Sequence, residues 1–127
     1  MKPLGRHLIM EFYECDVAVL DDSEAVEKIM LRAAEAAGAT VVTHACHHFS
    51  PHGVSAVVAI GESHLSIHTW PEYGYCAADI FTCGESTDNG AALEVIREAF
   101  SAGGHKALEV QRGLLSRRDV EVRHKPA

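Results

Sequence analysis

The stretch VSAVVAIGESHLSIHTWPEYGYCAADIFTCG, residues 54–84, contains three apolar segments separated by short polar turns. The middle segment, residues 64–70, alternates strictly, with aliphatic side chains on one face of a strand and polar or aromatic side chains on the other. Connections this short join antiparallel neighbours, because a parallel pair needs a long crossover. The stretch therefore predicts an antiparallel sheet at the centre of the fold.

Three further strands are predicted outside this stretch. The segment RHLIMEFYEC, residues 6–15, places Leu8, Met10 and Phe12 on one face and His7, Glu11 and Tyr13 on the other. The segment ATVVTHACHHF, residues 39–49, is rich in β-branched residues, and KALEVQR, residues 106–112, is the last strand.

Two amphipathic helices complete the pattern. The first begins after Asp21, which we expect to be its N-cap in a capping box with Glu24, and ends at Gly38. The second is predicted over residues 89–102, before Gly103 and Gly104.

The order is thus β, α, three or four strands, α, β, which predicts a single α+β domain over residues 1–127. We expect a two-layer sandwich, with a mainly antiparallel sheet and two helices on one of its faces. The other sheet face needs a cover, and a second copy of the chain would provide one. We therefore expect a homodimer.

Composition excludes several classes of partner. The formal charge of −7 leaves no basic surface for nucleic acid, although it favours a cationic small molecule. No apolar run reaches membrane-spanning length, and acidic residues come too early for a signal peptide, so we expect a cytoplasmic protein without a membrane partner. Its four cysteines, without a CxxC pair, are expected to be reduced thiols.

Nine histidines are many for 127 residues, and HACHHF, residues 44–49, invites a metal hypothesis. On a strand His44, Cys46 and His48 share one face. Local spacing alone is weak evidence, since tetrahedral sites need ligands from separate elements. We favour a structural or polar-network role and predict no metal site, keeping a non-catalytic metal-binding module as an alternative of another class.

Ser63, between two of the predicted strands, is open to two interpretations from local sequence. It is either a turn residue or a nucleophile. The chain has no GxSxG elbow at this position, and a Ser-His hydrolase that used His64 or His68 has no identifiable orienting acid.

Larger segments carry a family resemblance. The segment ESHLSIHTWPEYGYCAADIFTCG, residues 62–84, resembles the signature of the short prokaryotic pyruvoyl-dependent S-adenosylmethionine decarboxylases. The segments LGRHLIMEFYECD, GATVV and FSPHGVSAVVAIGESH match the same family in order. The resemblance covers residues 4–84, and the element order agrees to residue 113. Cys76 departs from the family pattern, in which alanine is expected.

The resemblance implies that the chain is a proenzyme that cleaves itself between Glu62 and Ser63, into residues 1–62 and 63–127. Ser63 Oγ would attack the carbonyl carbon of Glu62, with Ser55 as the hydrogen-bond donor to the oxyanion. His68 would then remove the Ser63 α-proton, so that elimination and hydrolysis leave a pyruvoyl group at position 63.

That group is the cofactor implied by the resemblance. Its ketone forms a Schiff base with the substrate amine and acts as an electron sink for decarboxylation. Cys83 matches the general acid that returns a proton to the substrate. The expected reaction converts S-adenosylmethionine to S-adenosylmethioninamine, an aminopropyl donor for spermidine biosynthesis. A pyruvoyl-dependent decarboxylase of arginine or ornithine on the same scaffold is the alternative.

Four residues are candidates for substrate binding. Aromatic faces suit a sulfonium and an adenine, so Phe49 and Trp70 are assigned to the adenosyl group, with core packing as the alternative. Glu72 would accept the ribose hydroxyls, and Leu65 would offer backbone polar groups. In a dimer Phe49 would serve the neighbouring subunit's site.

Overall fold

Six strands form one antiparallel sheet in the order β2-β3-β4-β5-β1-β6 in the computed structural model, which describes residues 2–61 and 63–115. The helices and strands follow the predicted order, and the α+β prediction is confirmed. The strands are β1 (Gly5–Tyr13), β2 (Val41–His48), β3 (Val54–Ile60), β4 (Ser63–Trp70), β5 (Tyr75–Cys83) and β6 (Gly104–Arg112). The helices are α1 (Val17–Leu20), α2 (Ser23–Ala36) and α3 (Asn89–Ala99), and a single 3₁₀ turn spans Pro71–Tyr73.

The core lies between the sheet and the helices. Met10 and Phe12 on β1 pair in register with Ala78 and Cys76 on β5, and all four side chains are buried. The buried faces of α2 and α3 complete this core. The alternation in the sequence thus identified the core face of β1 correctly.

The opposite sheet face carries no helix of the described residues, and we call it the open face. Several large apolar side chains on it are exposed, including Ile9 at 42%, Val57 at 46% and Leu108 at 63%. Polar side chains lie among them. The open-face residues that matter below are His7, Ile9, Glu11, Ser55, Val57, His64, Ser66, His68, Trp70, Tyr75, Asp79 and Leu108.

The start of the long helix differs from the prediction. Asp22, not Asp21, is the N-cap of α2, and its Oδ1 accepts the Ala25 N–H at 3.1 Å. Asp21 instead ends the short helix α1, which the sequence did not predict, and its carboxylate accepts the Gly53 N–H at 2.9 Å. Gly38 does follow the C-cap with a positive φ of 79°, as expected.

The last helix is shorter than predicted. α3 ends at Ala99 because Phe100, which is fully buried, caps it, and Ser101 then takes a positive φ of 51° to turn the chain into β6. The longest helix of the described residues is α2, with 14 residues, and none of these helices is long and apolar enough to span a membrane.

Candidate active site

Ser63 and Cys83 meet at one end of the sheet, where β4 begins and β5 ends. The Cys83 backbone N–H donates to Ser63 Oγ at 3.0 Å. Both residues are half-buried. Gly61 and Gly84 flank the pair with φ angles of 43° and 79°, a conformation that suits glycine, and so let the chain turn at both strand ends. Glu62 lies outside the described residues.

Ser55 and His68 form a second pair, on the open face. They are register partners on β3 and β4, and Ser55 Oγ lies 2.7 Å from His68 Nδ1. The two-residue connection between β3 and β4 fixes this register, since it pairs Ile60 with Ser63 and hence Ser55 with His68.

The Ser63–Cys83 and Ser55–His68 pairs do not meet within one chain. Ser63 and His68 are five residues apart on β4, which corresponds to roughly 16 Å along a strand, and an odd spacing turns their side chains to opposite faces. Sequence reasoning grouped all four residues into one site, whereas a single chain holds them as two half-sites.

Three of the predicted substrate-binding residues lie toward the His68 end. The rings of Trp70 and His68 are 6.5 Å apart, and Trp70 is 40% exposed. Phe49, at the end of β2, is 48% exposed and contacts His47 edge to face. These exposures argue against core packing for both aromatic residues. Glu72 is held by His52, with Oε2 and Nε2 2.8 Å apart.

Leu65 does not fit the role expected of it. Its side chain is fully buried, and its backbone lies between β3 and β5, paired with Val58 and Ile80. A residue in the middle of a sheet already uses its backbone groups in the ladder. We assign Leu65 to the core.

The structure adds a hydrogen-bonded group on the open face that sequence reasoning missed. Glu11 accepts hydrogen bonds from Tyr75 Oη at 2.7 Å and from Tyr13 Oη at 2.9 Å, and these hydrogen bonds lower the pKa of the Glu11 carboxyl. Burial, together with the bond to Glu11, raises the pKa of Tyr75 to about 12. The Tyr75 ring also lies 5.5 Å from that of Trp70. The alternation of β1 predicted Glu11 and Tyr13 on this face, but their partner Tyr75 lies on β5, which is far from β1 along the sequence.

A second missed group is centred on Asp79. Its Oδ2 lies 2.5 Å from His7 Nε2 and 3.2 Å from His64 Nε2, and its Oδ1 accepts from Ser66 Oγ. Burial raises the pKa of Asp79, but the hydrogen bonds from Ser66, His7 and His64 outweigh burial and lower it. The carboxylate therefore joins three strands of the open face.

His7, His64 and Asp79 form the one group of the described residues with metal-ligand spacing, their ligand atoms lying within 4.8 Å of one another. However, Arg112 Nη1 lies 3.4 Å from His7 Nδ1. A guanidinium only donates, so this contact favours the His7 tautomer that directs its Nε2–H toward Asp79. A metal at this group would have to displace that proton.

The side chains of the histidine cluster of β2 have separate partners. His44 Nδ1 lies 3.0 Å from Glu27 Oε2, Cys46 Sγ bonds the Ser23 carbonyl at 3.5 Å, and His48 Nε2 lies 2.9 Å from Asp21 Oδ1. Each side chain thus has a different partner on the helical layer, in agreement with the polar-network interpretation.

A groove of about 730 Å³ runs along the open face, and its lining joins the groups described above. His68 lies in it together with Glu11 and Tyr75 from one group and with His7, Ser66 and Asp79 from the other. The groove therefore brings carboxylate and aromatic side chains together beside His68, and Lys106 also lines it.

Residues 6–113 match the family model for S-adenosylmethionine decarboxylase. The chain belongs to this family. It is 55% identical over 113 residues to the S-adenosylmethionine decarboxylase proenzyme of Thermotoga petrophila, covering 89% of this chain and 87% of that protein. The proenzyme of Acidithiobacillus ferrooxidans is 48% identical over 130 aligned positions, covering 100% and 98% of the two chains. The predicted family, and with it the prediction of an enzyme, is confirmed.

Solved structures agree with this family membership. The crystal structure of the adenosylmethionine decarboxylase from Aquifex aeolicus superposes with a TM-score of 0.86 at 28% identity, covering 95% of this chain and 100% of that one. The Trypanosoma brucei AdoMetDC-delta26 monomer superposes with a TM-score of 0.60 at 15% identity, covering 80% of this chain and 44% of that one. The latter likeness concerns the fold alone.

Proposed function

We propose that this chain is a self-processing decarboxylase that converts S-adenosylmethionine to S-adenosylmethioninamine. Processing between Glu62 and Ser63 would divide one domain into chains of residues 1–62 and 63–127. The observation that carries the proposal is the hydrogen bond from the Cys83 N–H to Ser63 Oγ at the junction of β4 and β5. It holds the hydroxyl of the proposed nucleophile against the backbone of the residue proposed as the general acid, in a family whose relatives are named proenzymes.

The processing chemistry needs only side chains that this sequence supplies. Ser63 Oγ attacks the carbonyl carbon before it, and the C–N bond breaks as an ester forms and the nitrogen of residue 63 becomes an amine. Ser55 donates to the oxyanion of this step. His68 then removes the α-proton, the Cβ–Oγ bond breaks, and residue 62 leaves as a carboxylate. Water hydrolyses the remaining dehydroalanine to a ketone and ammonia.

The division into two half-sites supports a homodimer. His68 acts as a base only within hydrogen-bond reach of the proton that it removes. That requirement is incompatible with a separation of roughly 16 Å on the same strand. A second copy, packed face to face in the antiparallel sense, would bring its own Ser55–His68 pair over the start of β4 in the first, where it would face the backbone of residue 63, whose α-proton is the one to be removed. The isologous contact would form two equal sites.

The open face has the composition of such an interface. It exposes the aliphatic side chains Ile9, Val57 and Leu108 beside hydrogen-bonded polar groups. Burying this surface against a copy of itself removes apolar area from water on both chains. Phe49, Trp70 and Glu72 lie at the Ser55–His68 end, so in the dimer they would bind the adenosyl group of a substrate that reacts at the neighbouring subunit's residue 63.

The residues around position 63 fit a pyruvoyl cofactor. The Cys83 N–H is already directed at an oxygen of residue 63, and the position is half-buried at a strand end. A pyruvoyl carbonyl at this position supplies the electron sink that decarboxylation needs and that no amino-acid side chain provides. The Cys83 thiol donates the proton that the substrate α-carbon takes up after carbon dioxide leaves.

The decisive experiment is mass spectrometry of the denatured purified protein. We expect two chains, one ending at Glu62 and one beginning at position 63 that is one ammonia lighter than the serine form. A single intact chain after prolonged incubation would refute the proposal. Ser63→Ala should prevent cleavage without affecting the fold.

Substrate identity needs a separate assay. Release of carbon dioxide from carboxyl-labelled S-adenosylmethionine, arginine and ornithine distinguishes the candidate substrates. The relatives' names favour the first of these, and activity on arginine or ornithine alone would replace it. A place in spermidine biosynthesis and a cytoplasmic location, to which the four cysteine thiols are suited, stay predictions.

A further inference from the structure

Two turns at the His68 end of the sheet are joined by one pair of side chains. The first turn, residues 49–53, connects β2 to β3, and the second is the 3₁₀ turn Pro71–Tyr73 between β4 and β5. His52 Nε2, from the first turn, lies 2.8 Å from Glu72 Oε2 in the second. Each turn also carries one residue proposed above to bind the adenosyl group, Phe49 in the first and Glu72 in the second. His52 has had no part in the proposed reaction so far.

The contact between His52 and Glu72 is a hydrogen bond with a defined direction. A carboxylate only accepts, so the proton of the imidazole is on Nε2 and is donated to Glu72 Oε2. Among the described residues, His52 is the one donor to this carboxylate. Oε1 and the second lone pair of Oε2 are therefore left to accept from a ligand. The 2′ and 3′ hydroxyl groups of a ribose are two neighbouring donors of the kind that these positions accept.

The turn that carries His52 is fixed by hydrogen bonds of its own. The Phe49 N–H donates to the Gly53 carbonyl at 2.7 Å and closes the turn. The Gly53 N–H donates to Asp21 Oδ1 at 2.9 Å, and His48 Nε2 lies 2.9 Å from the same oxygen. These two contacts hold the pKa of Asp21 below its ordinary value, so the carboxylate stays charged and keeps the turn in place.

The turn that carries Glu72 is anchored to the same part of the core. Thr69, which is 6% exposed, accepts the Val54 N–H on Oγ1 at 2.9 Å and donates from Oγ1 to the Leu20 carbonyl at 2.7 Å. Pro71, the first residue of the 3₁₀ turn, is buried. Both turns are thus held in place by the fold, and the freedom that remains at this point is in the exposed side chain of Glu72.

The bond from His52 removes much of that freedom. The side chains of His52 and Glu72 are 37% and 38% exposed, and an exposed pair of this kind contributes little to the stability of a fold. A ligand that binds a freely rotating glutamate has to immobilise it, which costs affinity. A glutamate that is already held by a neighbour avoids part of that cost. We therefore expect the effect of this bond on ligand affinity and not on unfolding.

We propose that His52 is a positioning residue for recognition of the adenosyl group. By donating to Glu72 Oε2, it holds the carboxylate in the orientation that accepts the ribose hydroxyls. This inference rests on the proposed function, because it takes Glu72 as the residue that binds the ribose.

The test compares the affinity of the processed protein for 5′-methylthioadenosine, which carries the adenosine and sulfur of the proposed substrate, and for its 2′-deoxy analogue. Isothermal titration calorimetry gives the ratio of the two dissociation constants, and we expect the unmodified protein to prefer the ribose form. His52→Leu should reduce this preference about fivefold or more, because a hydrogen bond to a charged group contributes about tenfold or more to an affinity. His52→Gln should keep the preference, since its amide nitrogen is as many bonds from Cα as Nε2 is.

A second histidine provides a matched control. His44 Nδ1 lies 3.0 Å from Glu27 Oε2, and this pair is similarly exposed but belongs to neither turn. His44→Leu should therefore keep the preference for the ribose form. In a Glu72→Gln background the carboxylate that His52 positions is absent, so adding His52→Leu should cause no further loss.

Three results would overturn the inference. These are an unchanged preference in His52→Leu or in Glu72→Gln, an equal loss in His44→Leu, and a further loss when His52→Leu is added to Glu72→Gln. If His52→Leu does not fold, His52→Phe replaces it in the same comparison. Failure of the proposed function is distinguishable, because it would appear in the unmodified protein as an uncleaved chain that releases no carbon dioxide.

Discussion

Two inactive variants should restore each other's processing if the active site is shared between subunits. A His68→Ala chain retains the Ser63–Cys83 half-site, and a Ser63→Ala chain retains the Ser55–His68 half-site. Because Ser63 and His68 of one chain lie roughly 16 Å apart along β4, neither variant should form the pyruvoyl fragment alone. In a mixed dimer one of the two sites would combine an intact Ser63 with an intact His68.

The expected yield follows from dimer statistics. Random pairing of equal amounts gives about half of the dimers as hybrids, and each hybrid contains one intact site of two. The amount of pyruvoyl fragment should therefore be about a quarter of that from the same amount of unmodified protein. The assay is co-expression of the two chains with different tags, followed by denaturing mass spectrometry of the fragment that begins at residue 63.

A matched pair of variants provides the control. His68→Ala mixed with Ser55→Ala should not recover, because both substitutions fall in the same half-site and every mixed site lacks one of the two groups. Ser63→Ala mixed with Ser55→Ala should recover like the first pair. Absence of recovery in correctly folded hybrids, or formation of the pyruvoyl fragment by His68→Ala alone at the unmodified rate, would refute the shared site.

Four further variants, the first of them with a control, probe the interface, the chemistry and the fold. Leu108→Asp, at a position 63% exposed in the single chain, should change the free energy of unfolding of the monomer by no more than about 0.5 kcal/mol. It should nevertheless abolish dimers, and with them processing, in size-exclusion and mass measurements, whereas Val17→Asp on the helical side should abolish neither. Cys83→Ala retains the backbone donor to Ser63, so cleavage should persist while carbon dioxide release falls. Asp79→Asn should lower the free energy of unfolding, measured by urea titration at neutral pH, by about 1.5–3 kcal/mol. The pKa of Asp79 is lowered in the folded state. The stability difference between the two proteins should therefore be present above the unfolded pKa and disappear as the pH falls through the folded pKa. Asp22→Ala should cost about 1 kcal/mol in the same measurement, as expected for an N-cap.

The fold was largely predictable because its strands alternate cleanly. Met10 and Phe12 on β1, and Leu65 and Ile67 on β4, are apolar and buried, whereas the residues between them are not buried. This period of two separates the core face from the open face. The short connections within residues 54–84 then limited the strand order. The sequence did not place β6 beside β1, since that pairing joins residues about a hundred positions apart.

The helix cap was predicted wrongly for a physical reason. Asp21 and Asp22 are consecutive, and either could begin a helix by local pattern. The choice between them depends on Gly53, whose N–H lies in the β2–β3 turn and binds the Asp21 carboxylate at 2.9 Å. His48 pairs with the same carboxylate. Contacts 27 and 32 residues away are not visible in a local motif.

The site residues were named from the family resemblance, but their arrangement was open to simpler reasoning. A two-residue connection between β3 and β4 makes Ser55 the partner of His68, and an odd spacing of five puts Ser63 on the other face from His68. Both facts follow from the strand period. The sequence could not show that Glu11, Tyr13 and Tyr75 form a hydrogen-bonded group beside the groove, because these residues come together only through the β1–β5 pairing.

The division of the site has a consequence for maturation. A lone chain has the nucleophile at one end of its sheet and the base toward the other, so under the proposed mechanism Ser63 stays a serine until a second sheet is in place. The proposed contact that would deliver His68 would also deliver Phe49, Trp70 and Glu72 to the neighbouring residue 63. The reactive ketone would therefore form only where a substrate pocket already encloses it, so the proposal gives the open sheet face a direct part in making the cofactor.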